Sequence, residues 1–183
     1  VLDVYRHEVD APREEHFAHW TPAGRRVLST VEFFSKTVAL AESLVDLGVA
    51  PGDRVMVMCG NRPEWHMVDL AVLDLSAVDV PVYETLTADQ IAYQVNDSGA
   101  EVVVVEKPER MAAFLSIRHR CPGLRHLIQI EGPKADEAFS FDDLTVGRAR
   151  RKKTGSGTER RRSTRRSSPP SSTPRAPPVI QRV

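Results

Sequence analysis

His16 and His19 are the first residues in this sequence whose spacing could serve chemistry. Two imidazoles three positions apart on one helix face can bind a metal ion, but a third ligand is needed to hold it. The stretch "HFAH" offers no third ligand nearby, and its helical pattern is weak. A solvated surface pair is therefore the better interpretation, and no metal-binding residue is predicted anywhere in the chain.

The remaining reactive side chains also lack partners in the sequence. His66 follows Trp65 on a predicted helix, and no carboxylate or nucleophile beside it suggests a triad, so it is interpreted as a half-buried packing histidine. Cys59 and Cys121 show neither metal-ligand spacing nor a disulfide framework, which favours a reducing compartment and a cytoplasmic location. The phosphate-binding patterns G-x-G-x-x-G and G-x-x-x-x-G-K-[ST] are both missing. Spacing alone therefore predicts no catalytic and no cofactor-binding residue.

A helix over residues 30–47 is the clearest element that could position such groups. Ser29 and Glu32 have the spacing of a capping box, in which each side chain binds a free backbone N–H of the first turn. Apolar residues then recur with helical period, and Gly48 followed by Pro51 ends the pattern.

Downstream, short apolar runs alternate with helical patterns. Pro63 suits the first turn of a helix, and Thr87 with Gln90 has capping-box spacing before a stop at Gly99. Apolar runs without alternation are typical of strands buried on both faces. The fold class is therefore α/β, with alternating strands and helices and a mainly parallel sheet. The predicted strands are 54–60, 78–83, 101–106 and 124–132; the predicted helices are 63–77, 87–99 and 107–123.

Four segments, in this order and spacing, closely resemble the N-terminal region of the adenylate-forming (AMP-binding) superfamily, and within it the long-chain acyl-CoA synthetases. They are "GVAPGDRV" at 48–55, "NRPEW" at 61–65, "VPVYETLTADQ" at 80–90 and "NDSGA" at 96–100. The resemblance covers roughly residues 15–147.

This resemblance implies an enzyme that activates a fatty acid with ATP and Mg²⁺ to an acyl-adenylate and then transfers the acyl group to coenzyme A. The family's phosphate loop and its C-terminal catalytic lysine are not legible in this sequence. The chain as written is therefore expected to be inactive and to bind none of these cofactors tightly. By the same resemblance, a family signature at a helix start, structural rather than catalytic, is formed by Asn61, Arg62, Pro63, Glu64 and Trp65.

The charge distribution divides the chain. Residues 1–147 hold 13 Lys and Arg against 24 Asp and Glu, whereas residues 148–183 hold 12 against one, so their formal charges are −11 and +11. By the resemblance, residues 1–147 are expected to be the N-terminal portion of the AMP-binding (acyl-CoA synthetase) domain. The sequence predicts a disordered basic Arg/Ser/Pro tail over 148–183.

The tail also has an explanation as an out-of-frame product. In a shifted reading frame, each codon consists of the last base of one triplet and the first two bases of the next. In that frame, the bases that encode residues 173–183 can encode Y-T-S-G-T-T-G-[D/N]-P-K-G. By the resemblance, this matches the family's phosphate loop, I-Y-T-S-G-T-T-G-x-P-K-G.

The resemblance also implies that this segment holds only one edge of a larger sheet. We therefore expect the missing sheet partners to leave Val102–Val105 poorly covered.

Two other functions stay open at this point. Another adenylate-forming enzyme, such as a peptide-synthetase adenylation domain, has the same fold, although "NRPEW" with "PVYETLT" favours the acyl-CoA synthetase branch. Alternatively, the body is a non-enzymatic α/β module whose basic tail binds nucleic acid or membrane. The tail contains no aromatic residue for base stacking, so no specific nucleic-acid binding is expected. Peripheral membrane contact remains an expectation, and the sequence assigns no oligomeric state.

Overall fold

A computed structural model of the chain describes residues 7–21 and 24–147. The predicted tail over 148–183 lies outside these residues. In chain order the helices and strands are β1 (Phe17–Thr21), β2 (Gly24–Leu28), α1 (Thr30–Asp46), β3 (Arg54–Met58), α2 (Pro63–Asp74), β4 (Val78–Pro81), α3 (Ala88–Ser98), β5 (Val102–Val105), α4 (Pro108–Ile117), a 3₁₀ turn (Arg118–Arg120), β6 (His126–Gln129), β7 (Ala138–Ser140) and α5 (Phe141–Leu144).

Five strands form one parallel sheet in the order β4-β3-β5-β6-β7. The register aligns Val55 with Val102 and Val102 with His126, so β5 lies at the centre of the sheet. Helices cover both faces, since α1 and α2 pack on one side and α3 and α4 on the other. This arrangement confirms the predicted α/β fold.

The apolar runs of β3 and β5 contribute to two separate cores. Alternate residues of a strand point to opposite faces, and accordingly Val102 and Val104 pack with α1 and α2, whereas Val103 and Val105 pack with α3 and α4. All four valines are at most 2% exposed. The expectation that Val102–Val105 would be poorly covered is therefore wrong, because β3 and β6 flank β5 and helices lie over both of its faces.

Helix ends agree with most of the predicted caps, but α4 ends at Ile117 instead of residue 123, because the chain continues as the 3₁₀ turn, and two other predictions also differ. Thr87 and Gln90 form the complete capping box, and Gly99 ends α3 with φ 67°. Ser29 accepts from the Glu32 N–H at 3.2 Å, but the Glu32 carboxylate pairs with Lys36 at 3.1 Å, so only half of the first predicted box is made.

The helix α2 ends at Asp74 rather than at residue 77. The backbone turns at Ser76, whose φ is 55°, and the Ser76 carbonyl accepts a 2.8 Å hydrogen bond from Gly52 N–H. This turn brings the chain back to the start of β4.

The sequence did not predict the antiparallel hairpin of β1 and β2, which aligns Phe17 with Leu28. His16 precedes this hairpin and packs near Phe17, Phe33 and Phe34, with its side chain 10% exposed. The interpretation of His16 and His19 as a solvated surface pair is thus wrong. The two residues are also not on a helix, because His16 precedes β1 and His19 lies within it.

Two features are absent from the described residues. Among residues 7–21 and 24–147, no three His, Cys, Asp or Glu side chains are grouped to hold a metal ion. No helix in this part of the chain has the length and apolar character needed to span a bilayer.

His66 is half-buried, and its ring stacks on that of Phe17 with the ring centroids 5.2 Å apart, which confirms it as a packing histidine.

Candidate functional site

The crevice between β3 and β5 is the place where this sheet topology favours a site. The chain leaves β3 through α2 to β4 on one side, and returns through α3 to β5 on the other side. The connecting helices therefore lie on opposite faces, and the loops that follow β3 and β5 diverge. In doubly wound sheets, ligands bind at this switch point, beyond the carboxyl ends of the strands.

Charged residues follow three of the strands at this edge. The loop over residues 59–62, called the switch loop below, follows β3 and contains Arg62. Glu106 directly follows β5, and Glu131 lies two residues beyond the end of β6. Because parallel strands end at the same edge of the sheet, residues far apart in sequence meet here.

Arg62 is the centre of this cluster. Its Nε donates to Glu64 Oε2 at 2.7 Å, and its Nη1 donates to Glu106 Oε1 at 3.3 Å and also to a Glu131 carboxylate oxygen. The side chains of Arg62, Glu106 and Glu64 are only 12%, 11% and 8% exposed. One guanidinium thus joins the start of α2 to the ends of β5 and β6.

Glu106 also binds the backbone of the switch loop. Its Oε2 accepts a 2.7 Å hydrogen bond from the Gly60 N–H. A Cβ at residue 60 would lie 3.2 Å from the same oxygen, which is tighter than an ordinary contact. Glycine at this position therefore allows the carboxylate to approach the backbone closely.

The local environment sets the protonation of the cluster. Burial raises the pKa of the Glu64 carboxyl, but the hydrogen bond and charge of Arg62 outweigh this, and the pKa lies below its ordinary value. Burial, followed by the charge of Glu106, raises the pKa of the Cys59 thiol far above its ordinary value. Cys59 is therefore a neutral thiol at neutral pH and a poor nucleophile.

Two further cations extend the network. Lys107 Nζ lies 3.6 Å from Glu84 Oε1 and 3.8 Å from Glu106 Oε1, which connects the segment after β4 with the end of β5. Arg26 of the hairpin lies 3.8 Å from Glu64 Oε1.

Comparison with known proteins identifies the family. A family model described as "AMP-binding enzyme" matches residues 6–176. The chain belongs to the AMP-binding enzyme family. The predicted membership in the adenylate-forming superfamily is thereby confirmed.

Relatives in the AMP-binding family carry a more specific description. The chain is 33% identical over 129 residues to the long-chain-fatty-acid–CoA ligase FadD15 of Mycobacterium bovis, a match that covers 70% of this chain and 22% of the ligase. It is 32% identical over 103 residues to long-chain-fatty-acid–CoA ligase 1 of Cavia porcellus, covering 55% of this chain and 15% of that protein. The chain thus spans about a fifth or less of the length of these relatives.

A solved structure of an AMP-binding enzyme has the same fold. The anthranilate CoA ligase AuaEII, in complex with anthranoyl-AMP, superposes with a TM-score of 0.70 at 24% identity, over 79% of this chain and 27% of the ligase. At this identity the likeness supports the fold alone.

The charged groups of the crevice do not fit the triphosphate of the ATP that this family uses. Each cation of the network, Arg26, Arg62 and Lys107, already lies within 4 Å of a carboxylate. With Glu84, Glu64, Glu106 and Glu131 opposite these three cations, the network has a formal charge of −1 and would repel phosphate oxygens.

The structure locates every residue of the predicted family signature. Asn61 is exposed in the switch loop, Arg62 precedes the helix as its N-cap, and Pro63 occupies the first turn of α2. Glu64 is buried against Arg62, and Trp65 is half-buried against the core. The structural role of these five residues at a helix start stays a prediction. Arg62 and Glu64 also belong to the ion network that connects α2 with β5.

Sequence reasoning missed Glu106 and Glu131. A usable signal was present, because each acidic residue comes at the end of an apolar run, "VVVVE" and "LIQIE". A carboxylate at that position of a parallel strand falls at the edge where the switch point lies.

Proposed function

We propose that this chain supplies the N-terminal part of the adenylate-forming domain of an ATP-dependent long-chain-fatty-acid–CoA ligase. The proposed reaction converts a fatty acid and ATP, with Mg²⁺, to acyl-adenylate and pyrophosphate. Coenzyme A then displaces AMP to give acyl-CoA. The observation that carries the proposal is the 33% identity to a long-chain-fatty-acid–CoA ligase over 129 residues.

We propose that the described residues contribute structure to this reaction rather than reacting groups. The ion network at the carboxyl edge of the sheet leaves no unpaired cation for phosphate, and the Cys59 thiol is held neutral. The chain as written is therefore expected to form no acyl-adenylate by itself. The family's phosphate loop is proposed to be encoded in the other reading frame of residues 173–183.

The nucleotide sequence tests the reading-frame proposal directly. A continuation of the shifted frame into further motifs of adenylate-forming enzymes is the expected result. An early stop in that frame would remove this explanation of the tail.

An activity assay on a repaired protein tests the function. One base is restored between the codons for residues 145 and 157, and the frame is extended to its natural stop. Acyl-adenylate formation, followed as pyrophosphate release, and acyl-CoA formation are then measured with palmitate, an aromatic acid and an amino acid, each with ATP, Mg²⁺ and coenzyme A. Thioester formation mainly from palmitate supports the proposal. Activation of the amino acid alone would instead favour a peptide-synthetase adenylation domain.

We also propose that the protein lies in the cytoplasm and contacts membranes peripherally. Cys59 and Cys121 are both free cysteines, which favours the reducing cytoplasm, and the long-chain acyl substrate favours peripheral contact with membranes. Cell fractionation with and without a salt wash tests both, because salt releases a protein that charges hold at a membrane surface.

A further inference from the structure

The side chain of Glu106, which follows the central strand β5, binds the switch loop to the sheet. The last backbone ladder contact beside it is the 3.0 Å hydrogen bond from Glu106 N–H to the Met58 carbonyl. Beyond Met58, the Gly60 N–H donates to the Glu106 carboxylate rather than to a strand. One side chain therefore takes over where the ladder of β3 and β5 ends.

The same carboxylate is itself held in place. Glu106 Oε2 binds the Gly60 N–H, and Oε1 accepts from Arg62 Nη1, so the two oxygens contact the middle and the end of one loop. Arg62 is oriented in turn by Glu64 and Glu131. Hydrogen bonds that involve a charged group are shorter and stronger than hydrogen bonds between neutral groups.

We infer that Glu106 and Arg62 are positioning residues, which hold the switch loop as a rigid rim of the crevice between β3 and β5. They fix the direction in which Asn61 projects from the rim. The Asn61 side chain is exposed and makes no hydrogen bond to another described residue. The inference rests on the proposed function only for its effect on catalysis.

Amide hydrogen exchange on the chain as it stands tests the inference. Glu106→Ala removes the acceptor for Gly60 N–H, and exchange at Gly60 should become at least about tenfold faster. Exchange at Val57 and Val104, in the centres of β3 and β5, should change by less than about twofold. Glu106→Gln keeps an oxygen that accepts from Gly60 N–H and should restore most of the protection.

Glu101→Ala is the matched control. Glu101 directly precedes the same strand β5 at the opposite, amino edge, where it pairs with Arg125 at 2.8 Å. Its removal should leave exchange at Gly60 unchanged. Unchanged exchange at Gly60 in Glu106→Ala, or a uniform acceleration across the sheet, would overturn the inference, because the latter marks a general loss of stability.

A second variant and a kinetic measurement complete the test. Should Glu106→Ala not fold, Arg62→Lys is used, since one ammonium cannot reach all three carboxylates, and selective acceleration at Gly60 is again expected. In the repaired ligase, Glu106→Ala should lower kcat/KM about tenfold while Glu101→Ala does not. A repaired protein without ligase activity contradicts the proposed function alone, whereas unselective exchange contradicts the positioning inference alone.

Discussion

Ser43 Oγ lies 2.6 Å from the Leu144 carbonyl oxygen, which joins α1 to the end of α5 across 101 positions of sequence. The same hydroxyl lies 2.6 Å from the Ala39 carbonyl, so one hydrogen is shared between an acceptor in its own helix and one in α5. Ser43 is completely buried. This contact attaches the last described helix to the core.

Ser43→Ala should destabilise the protein by about 1–2 kcal/mol, because the Leu144 carbonyl loses a buried donor. Chemical denaturation of both proteins measures the difference. Ser116→Ala is the control, since Ser116 makes a similar 2.7 Å bond to Ala113 but is exposed, and it should change stability by less than about 0.5 kcal/mol. Equal effects of the two substitutions would show that the link to α5 adds nothing.

Arg62→Ala should destabilise the protein by about 3 kcal/mol, because it leaves Glu64 and Glu106 as buried carboxylates without their shared cation. Arg125→Ala breaks an ion pair with Glu101 whose side chains are 52% and 37% exposed, and it should cost at most about 1 kcal/mol. Urea unfolding of both variants provides the comparison. A loss for Arg62→Ala no larger than that for Arg125→Ala would contradict the account of the cluster.

Asp79 should make the protein less stable as the pH rises from about 4 to 6. Burial, and then the charge of Asp69, raises the pKa of Asp79 to about 6, and its Oδ1 is buried without a hydrogen-bond partner among the described residues. The folded protein therefore binds a proton more tightly than the unfolded chain. The stabilisation is complete below the unfolded pKa and is lost as the pH passes through the folded pKa.

The measurement compares Asp79→Asn with the wild type across this pH range. Because Asp79 is only partly buried, the variant should gain about 1–2 kcal/mol over the wild type at pH 7 relative to pH 4. Asp89→Asn, at a side chain that is 84% exposed, is the control and should show no such gain. Parallel pH profiles for the wild type and Asp79→Asn would refute the assignment.

Ser76→Gly should stabilise the protein by about 0.5–1 kcal/mol, because Ser76 has a φ of 55° and only glycine adopts this conformation without strain. Ser76→Ala retains the strained conformation and should be close to neutral. Thermal unfolding distinguishes them. Similar Tm values for both variants would mean that the turn after α2 stores no strain.

The sequence predicted the elements whose signals are local. The run "VVVV" predicted a strand at β5, and Thr87 with Gln90 predicted the start of α3, because each signal depends only on neighbouring residues. The hairpin of β1 and β2 was missed because its strands lack clear alternation, with Trp20 exposed opposite Arg25.

Local signals place Glu106 and Glu131 at strand ends, but they do not show that these residues pair with Arg62. Arg62 lies 44 residues from Glu106 and 69 from Glu131. Only the strand order β4-β3-β5-β6-β7 brings these residues to one edge, and that order depends on packing of the whole sheet. The candidate site therefore follows from the topology rather than from a motif.

Exchange of pyrophosphate into ATP that depends on an added carboxylic acid shows directly whether a protein forms acyl-adenylate. It is measured with palmitate and Mg²⁺ on the chain as written and on the repaired protein, each at the same concentration. We expect the repaired protein to catalyse exchange that requires palmitate, and the chain as written to catalyse none above a blank. Exchange by the chain as written, or no exchange by the repaired protein with any carboxylic acid, would contradict this expectation.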